Sequence, residues 1–126
     1  MSETSQLGVW GEEIACQTLI SKGYAIIARN TRIAHIEVDI LAMYGNRIVV
    51  AEVKTRRDAS FDPTFGITPD KIRRLARAGA TYVRTYKLPH EVQIDLIRII
   101  GHPDSDYRIE HQPDAFMPPR SRARRR

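Results

Sequence analysis

Residues 36–56 read IEVDILAMYGNRIVVAEVKTR, two runs rich in isoleucine and valine on either side of Gly45-Asn46. A Gly-Asn pair between such runs is turn chemistry, so the spacing predicts a β-hairpin with strands over 36–43 and 48–55. Counting outward from a two-residue turn sets Asp39 opposite Glu52 and Glu37 opposite Lys54. Residues directly opposed, and residues two apart along a strand, project to the same face. Four ionisable side chains therefore converge on one patch, and Leu41, Met43, Val50 and Ile48 continue that face. The other face carries Ile36, Val38, Ile40, Ala42, Ala51 and Val53. With both faces largely apolar, the two runs read as central strands that shelter the charged patch.

Sheltered charges are costly unless compensated. Glu37 across from Lys54 is an ordinary ion pair, but Asp39 across from Glu52 sets two like charges face to face. Two carboxylates held together require a shared proton or a cation between them. An all-oxygen donor set with no histidine or thiolate beside it suits Mg²⁺, or Mn²⁺, rather than zinc. A lysine next to such an ion can orient or deprotonate a water, or neutralise charge building on a phosphoryl group. The bland alternative is a hairpin with one Glu–Lys pair and two carboxylates in solvent. A turn of odd length would undo the Asp39–Glu52 pairing altogether.

Before the hairpin, Leu7, Trp10, Ile14, Thr18 and Leu19 recur at helical spacing, which predicts a helix over about 7–22 ended by Gly23. Tyr24–Ala28 follows as a short apolar strand. After the hairpin, residues 57–68 have loop composition. Thr68-Pro69 then offers a cap and a first-turn proline for a second helix to about Tyr86, with Ile72, Leu75, Ala76, Gly79 and Val83 on one face. Val92, Ile94, Leu96, Ile97, Ile99 and Ile100 make a last core strand, and the chain turns polar from Gly101. The order α-β-β-β-α-β predicts an α/β fold with a mixed central sheet flanked by helices. Residues 1–117 are expected to form this single domain, followed by a disordered arginine-rich tail over 118–126.

The formal charge of +5 is unevenly spread. Five arginines fall in the last seven residues, and without them basic and acidic residues balance. Within the body, residues 29–87 carry 12 Lys/Arg against 6 Asp/Glu, so the basic surplus surrounds the proposed site. Arg56 and Arg57 adjoin it, and on the second helix Arg73, Arg77 and Arg84 form a stripe with Lys71 and Arg74 beside it. Such a stripe can follow phosphates, although a solvated helix face is the commoner meaning of a charge run. No groove-reading motif is present, so structure-selective or non-specific binding is expected, with the tail as an auxiliary contact. The lone Cys16 excludes an internal disulfide, no apolar run approaches the length of a membrane span, and the N-terminus lacks a signal peptide's features. A soluble cytoplasmic location is expected.

The order Gly11-Glu12, Arg29-Asn30, Glu37-Val38-Asp39 and Glu52-Val53-Lys54-Thr55-Arg56, continued by Thr68-Pro69, Lys71, Arg74-Leu75 and Asp95, resembles the YraN family of bacterial proteins. That family sits in the PD-(D/E)XK restriction-endonuclease-like superfamily and is similar in layout to archaeal Holliday-junction resolvases. The resemblance implies that Asp39, Glu52 and the Val53 carbonyl hold Mg²⁺, that Lys54 positions the attacking water, and that Glu12 completes or assists the metal site. Helical periodicity alone leaves Glu12 on the border of the apolar face, where plain solvation fits equally well. Glu37 is expected beside Lys54 as its partner, outside the ligand set. Two departures stand out: His35-Ile36 replaces the family's Gly-Gly before its Glu-x-Asp, and Gln93-Ile94 replaces an Arg-Phe before Asp95. His35 is read as a surface residue.

Together these readings lead to the expectation of a metal-dependent endonuclease acting on DNA, with branched or damaged DNA as the favoured class. Arg56, Arg57, Lys71, Arg73, Arg74 and Arg77 are its expected nucleic-acid contacts. Resolvases cut as dimers, so a homodimer fits the analogy. The competing expectation is a catalytically silent nuclease-fold protein that binds nucleic acid or a protein partner.

Overall fold

The computed structural model describes residues 3–58 and 66–115, so the arginine-rich tail expected over 118–126 lies outside the described residues. Helix α1 (Glu3–Ser21) leads into β1 (Ala25–Ile33), β2 (Ile36–Tyr44) and β3 (Arg47–Arg56). Helix α2 (Pro69–Thr85) crosses to β4 (Glu91–Gly101), and β5 (Tyr107–Gln112) follows. The five strands lie in sequence order, with β3 and β4 parallel and every other neighbouring pair antiparallel. This is the expected mixed sheet, because the one helical crossover joins the one parallel pair.

The sheet is covered on both faces. Ala15, Cys16 and Leu19 of α1 pack on Ile40, Ala42, Val49, Ala51, Ile97 and Ile99. Leu75 and Ala78 of α2 pack on Leu41, Ile48, Val50 and Ile94. Alternation along β3 therefore assigns Val49 and Ala51 to α1, and carries Val50 on to Glu52 and Lys54 on the side of α2. Helix α2 comes very close to the sheet at Gly79, where an added Cβ would lie 2.5 Å from Val92 Cγ1. Thr68 caps that helix, its Oγ1 accepting the Lys71 N–H at 3.1 Å, and Pro69 opens the first turn as the sequence suggests.

Three features depart from expectation. Strand β1 runs on to Ile33 and joins β2 through Ala34 and His35, both with left-handed φ (53° and 65°). That makes a second tight hairpin, built on residues that seldom adopt this conformation. Ile36 and Val38 belong to the α2-side core and not, with Ile40 and Ala42, to the α1 side, because this end of β2 has left β3 and twists away. Strand β5 is an addition to the expected order: its sequence YRIEHQ has one aliphatic residue, as suits an edge strand with a half-exposed face. Among the described residues no helix is long and apolar enough to cross a membrane.

Candidate functional site

The β2–β3 ladder pairs Tyr44 with Arg47, Met43 with Ile48, Leu41 with Val50 and Ile40 with Ala51, the register counted from the turn. The regular pairing stops there, one step short of Asp39 and Glu52. In its place the Val53 N–H donates to Asp39 Oδ2 at 2.8 Å. A side chain thus replaces a backbone carbonyl as the acceptor at the point where the strands part. That substitution turns Asp39 toward β3 and fixes its carboxylate beside Glu52.

Glu52 is buried, at 7% exposure. Lys54 Nζ lies 3.6 Å from its Oε2, and Lys71 Nζ, reaching down from α2, lies 3.8 Å from its Oε1. Burial pushes the Asp39 carboxyl above its usual range, against the Val53 N–H and the charges of Lys71 and Lys54, which pull it down. Burial likewise raises Glu52, and the neighbouring Asp39 charge raises it further while both lysines oppose the shift. Two carboxylates and two ammonium groups therefore share a sheltered patch of zero net charge. A cleft of about 130 Å³ lined by Asn30, Thr31, Glu37 and Asp39 opens onto it from the side of β1.

The other expected site residues take different positions. Glu12, on α1, is half-buried and hydrogen-bonded to Asn30; burial raises its carboxyl, and the charge of Asp39 adds to that rise. Glu12, Asp39 and Glu52 do not close into one group, and among the described residues no three His, Cys, Asp or Glu side chains gather to hold a metal ion. Glu37 does not partner Lys54. It is exposed and pairs with Arg32 at 3.2 Å, since the cross-strand rule that puts it opposite Lys54 lapses once β2 leaves β3. Arg56 donates to the Thr55 carbonyl, while Arg73 and Arg74 both turn toward Asp70. Arg57 lines a surface cleft with Tyr107 and Arg108, away from Glu52.

The basic stripe in the sequence counts Lys71 among the phosphate contacts and does not disclose its place at Glu52. A signal for that place exists: Lys71 precedes the fully buried Leu75 by four residues, so both project from one helix face toward the sheet. Asp95 likewise has no role assigned by the residue pattern. It is wholly buried on the opposite face of the sheet, where Tyr24 Oη (2.7 Å), Gln93 Nε2 (2.8 Å) and the Asp114 N–H (3.0 Å) donate to it and His111 Nε2 lies at 2.8 Å. Lys22 Nζ stands 2.8 Å from His111 Nδ1 and completes a chain of polar groups from surface to core.

The residues at Glu52 fit a divalent ion of the Mg²⁺ type. Such ions keep several waters and need only one or two protein carboxylates, which is what Asp39 and Glu52 offer. Because both carboxyls are raised, an ion held there would have to compete with protons at higher pH than for ordinary carboxylates. The rise in melting temperature on adding Mn²⁺ is therefore expected to shrink steadily from pH 7 to pH 5, as measured by thermal scans at fixed ionic strength. A shift unchanged over that window would mean that the ion sits elsewhere.

The αβββαββ order, with acidic residues and a lysine where the central hairpin opens, defines a restriction-endonuclease-like core. The chain belongs to the Uncharacterised protein family UPF0102, the YraN family, whose model matches residues 11–99. A UPF0102 protein of Bacteroides fragilis is 40% identical over 120 residues, which cover 94% of this chain and 98% of that relative. A UPF0102 protein of Leifsonia xyli is 39% identical over 90% of this chain and 98% of its own length. One from Syntrophomonas wolfei is 38% identical over 88% and 97%.

Proposed function

We propose that this protein is a metal-dependent phosphodiesterase acting on DNA. The observation that carries the proposal is the meeting of two like charges, half-buried Asp39 and buried Glu52, with Lys54 at the point where β2 and β3 separate. Asp39, Glu52 and the Val53 carbonyl would hold Mg²⁺ or Mn²⁺. The bound ion supplies Lewis acidity toward a phosphoryl oxygen and a water of lowered pKa. Lys54 would orient an attacking water in line with the phosphodiester and offset the charge that builds on phosphorus. The Val53 N–H holds the Asp39 carboxylate in place through Oδ2. Glu12 assists through Asn30 and the field at Asp39, from outside the ligand pair.

Nucleic acid as the substrate is supported by the surroundings. A groove of about 970 Å³ runs between α2 and the β4–β5 edge, lined among others by Arg73, Arg77, Leu96 and Arg98. It adjoins the site, because Leu96 and Arg98 are the register neighbours of Glu52 and Lys54. Guanidinium groups along such a path bind phosphates without reading bases. Branched DNA is the favoured class by the resolvase analogy, and symmetric cutting of a junction would call for a homodimer.

The test is cleavage of linear, flapped and four-way DNA in Mg²⁺ or Mn²⁺ by wild type and Lys54→Ala. Lys54→Ala is expected to lower the rate about 10²- to 10⁴-fold, the usual weight of a positioned proton-handling group. Cleavage that survives the substitution would move the chemistry to another site. Tight binding with no cleavage of any substrate would make the chain a silent nuclease-fold binding protein.

A further inference from the structure

We propose that Lys71 is the exchangeable counter-ion of the site: it neutralises Glu52 while no divalent ion is bound, and its ammonium passes to the phosphodiester once the ion takes that carboxylate. The inference rests on the phosphodiesterase reading and adds a coupling between ion and substrate.

The two lysines at Glu52 are not equivalent. Lys54 lies on the same strand, two residues away, so the sheet that carries the carboxylate carries it too. Lys71 comes from a separate element and reaches the other carboxylate oxygen at 3.8 Å; this contact, like that of Lys54 at 3.6 Å, is an ion pair beyond hydrogen-bonding distance, so what sets Lys71 apart is its separate root. Its backbone is nonetheless well fixed, since Thr68 caps its N–H and Leu75 one turn later is fully buried. A firm root, a long stem and a loose contact describe a cation that can change partners without moving the helix.

Charge balance calls for such a change. Asp39 and Glu52 are matched by Lys54 and Lys71, so a divalent ion added to the patch leaves an excess of two positive charges. Glu52 cannot serve the ion and Lys71 fully at once, and with Asp70 already paired to Arg73 and Arg74, a substrate phosphate is an anion able to take the released ammonium. Lys71 is partly exposed, with 29% of its side chain open to solvent, on the side of the sheet where the arginine-lined groove begins. Ion and DNA should therefore bind cooperatively, each favouring the other by the same factor.

The experiment compares wild type with Lys71→Met, which keeps the stem and removes the charge. Mn²⁺ affinity of the DNA-free protein is read by calorimetry, and affinity for a flapped DNA is read with and without Ca²⁺. Lys71→Met should bind Mn²⁺ about fivefold more tightly, having lost a competing cation, while its DNA affinity in Ca²⁺ falls about tenfold and responds less to the ion. Lys71→Gln should give the same two opposite shifts, and Lys71→Arg should keep most of the DNA affinity. If wild type binds the ion and Lys71→Met binds it equally or more weakly, Lys71 is a fixed structural bridge and only this inference falls. A wild type that binds neither ion sinks the inference together with the phosphodiesterase reading.

Discussion

Asp39→Asn is expected to abolish metal-dependent cleavage while raising the melting temperature of the metal-free protein. Both effects follow from the same charge. The introduced amide would keep an oxygen to accept the Val53 N–H, so the local geometry where β2 and β3 part should survive. What disappears is a half-buried anion facing a buried one, whose cost is visible in the raised carboxyls of both Asp39 and Glu52. Removing such a functional charge commonly stabilises by about 1 kcal/mol. The sign with pH is fixed. Folding raises the Asp39 carboxyl above its unfolded value, so the folded protein binds the proton more tightly and the wild type recovers stability as the pH falls. The advantage of Asp39→Asn is thus greatest near neutrality and fades in acid. Cleavage should drop by at least about 10³-fold, as for the loss of a principal electrostatic stabiliser, and the Mn²⁺-induced rise in melting temperature should vanish. Equilibrium urea unfolding in EDTA at pH 7 and pH 5 checks the stability half; a less stable Asp39→Asn at pH 7 would contradict it.

The second large effect lies on the other face of the sheet. Asp95→Asn should cost about 3–5 kcal/mol, the usual consequence of breaking a buried charge network from one side. Its two carboxylate oxygens meet Tyr24, Gln93, His111 and the Asp114 backbone, and an asparagine would turn an amide N–H₂ toward groups that donate. Burial pushes the Asp95 carboxyl up, but His111, the Asp114 N–H, Tyr24 and Gln93 together hold it below its ordinary value. The stabilisation is therefore present above the unfolded aspartate pKa and is lost as the pH falls through the depressed folded one. The gap in unfolding free energy between wild type and Asp95→Asn should narrow in acid. The network ties the turn between α1 and β1 to β4 and β5 on the face opposite Glu52, so Asp95→Asn that remains folded should keep its Mn²⁺ response. Loss of that response with stability intact would give Asp95 a role in the site itself.

The contrast between these two aspartates shows what the sequence can disclose. Asp39 and Glu52 are legible because Gly45-Asn46 fixes a register, and in a sheet buried on both faces a slip would misplace the whole apolar pattern. The same reasoning fails at Glu37, three residues beyond Ile40 and the last β2–β3 pair, since pairing rules describe ladders and say nothing about where a ladder ends. Asp95 sits in an apolar run that marks a core strand, and its donors come from residues up to 71 positions away, which no local pattern reveals. Strand β5 escapes notice because an edge strand needs few aliphatic residues, and the second hairpin because Ala34-His35 carries none of the usual turn chemistry. Lys71 is readable from its spacing to Leu75, but a lysine at a helix start is more readily taken for a solvated charge.

The proposed phosphodiesterase depends on Asp39 and Glu52 as its metal site. Its most direct test is cleavage of flapped and four-way DNA in Mn²⁺ by wild type and Asp39→Asn, purified identically and assayed together. Wild type should cut and EDTA should stop it, while a folded Asp39→Asn should show no cutting above background. Equal cutting by the two proteins, or none by either while Mn²⁺ leaves the wild-type melting temperature unchanged, would contradict it.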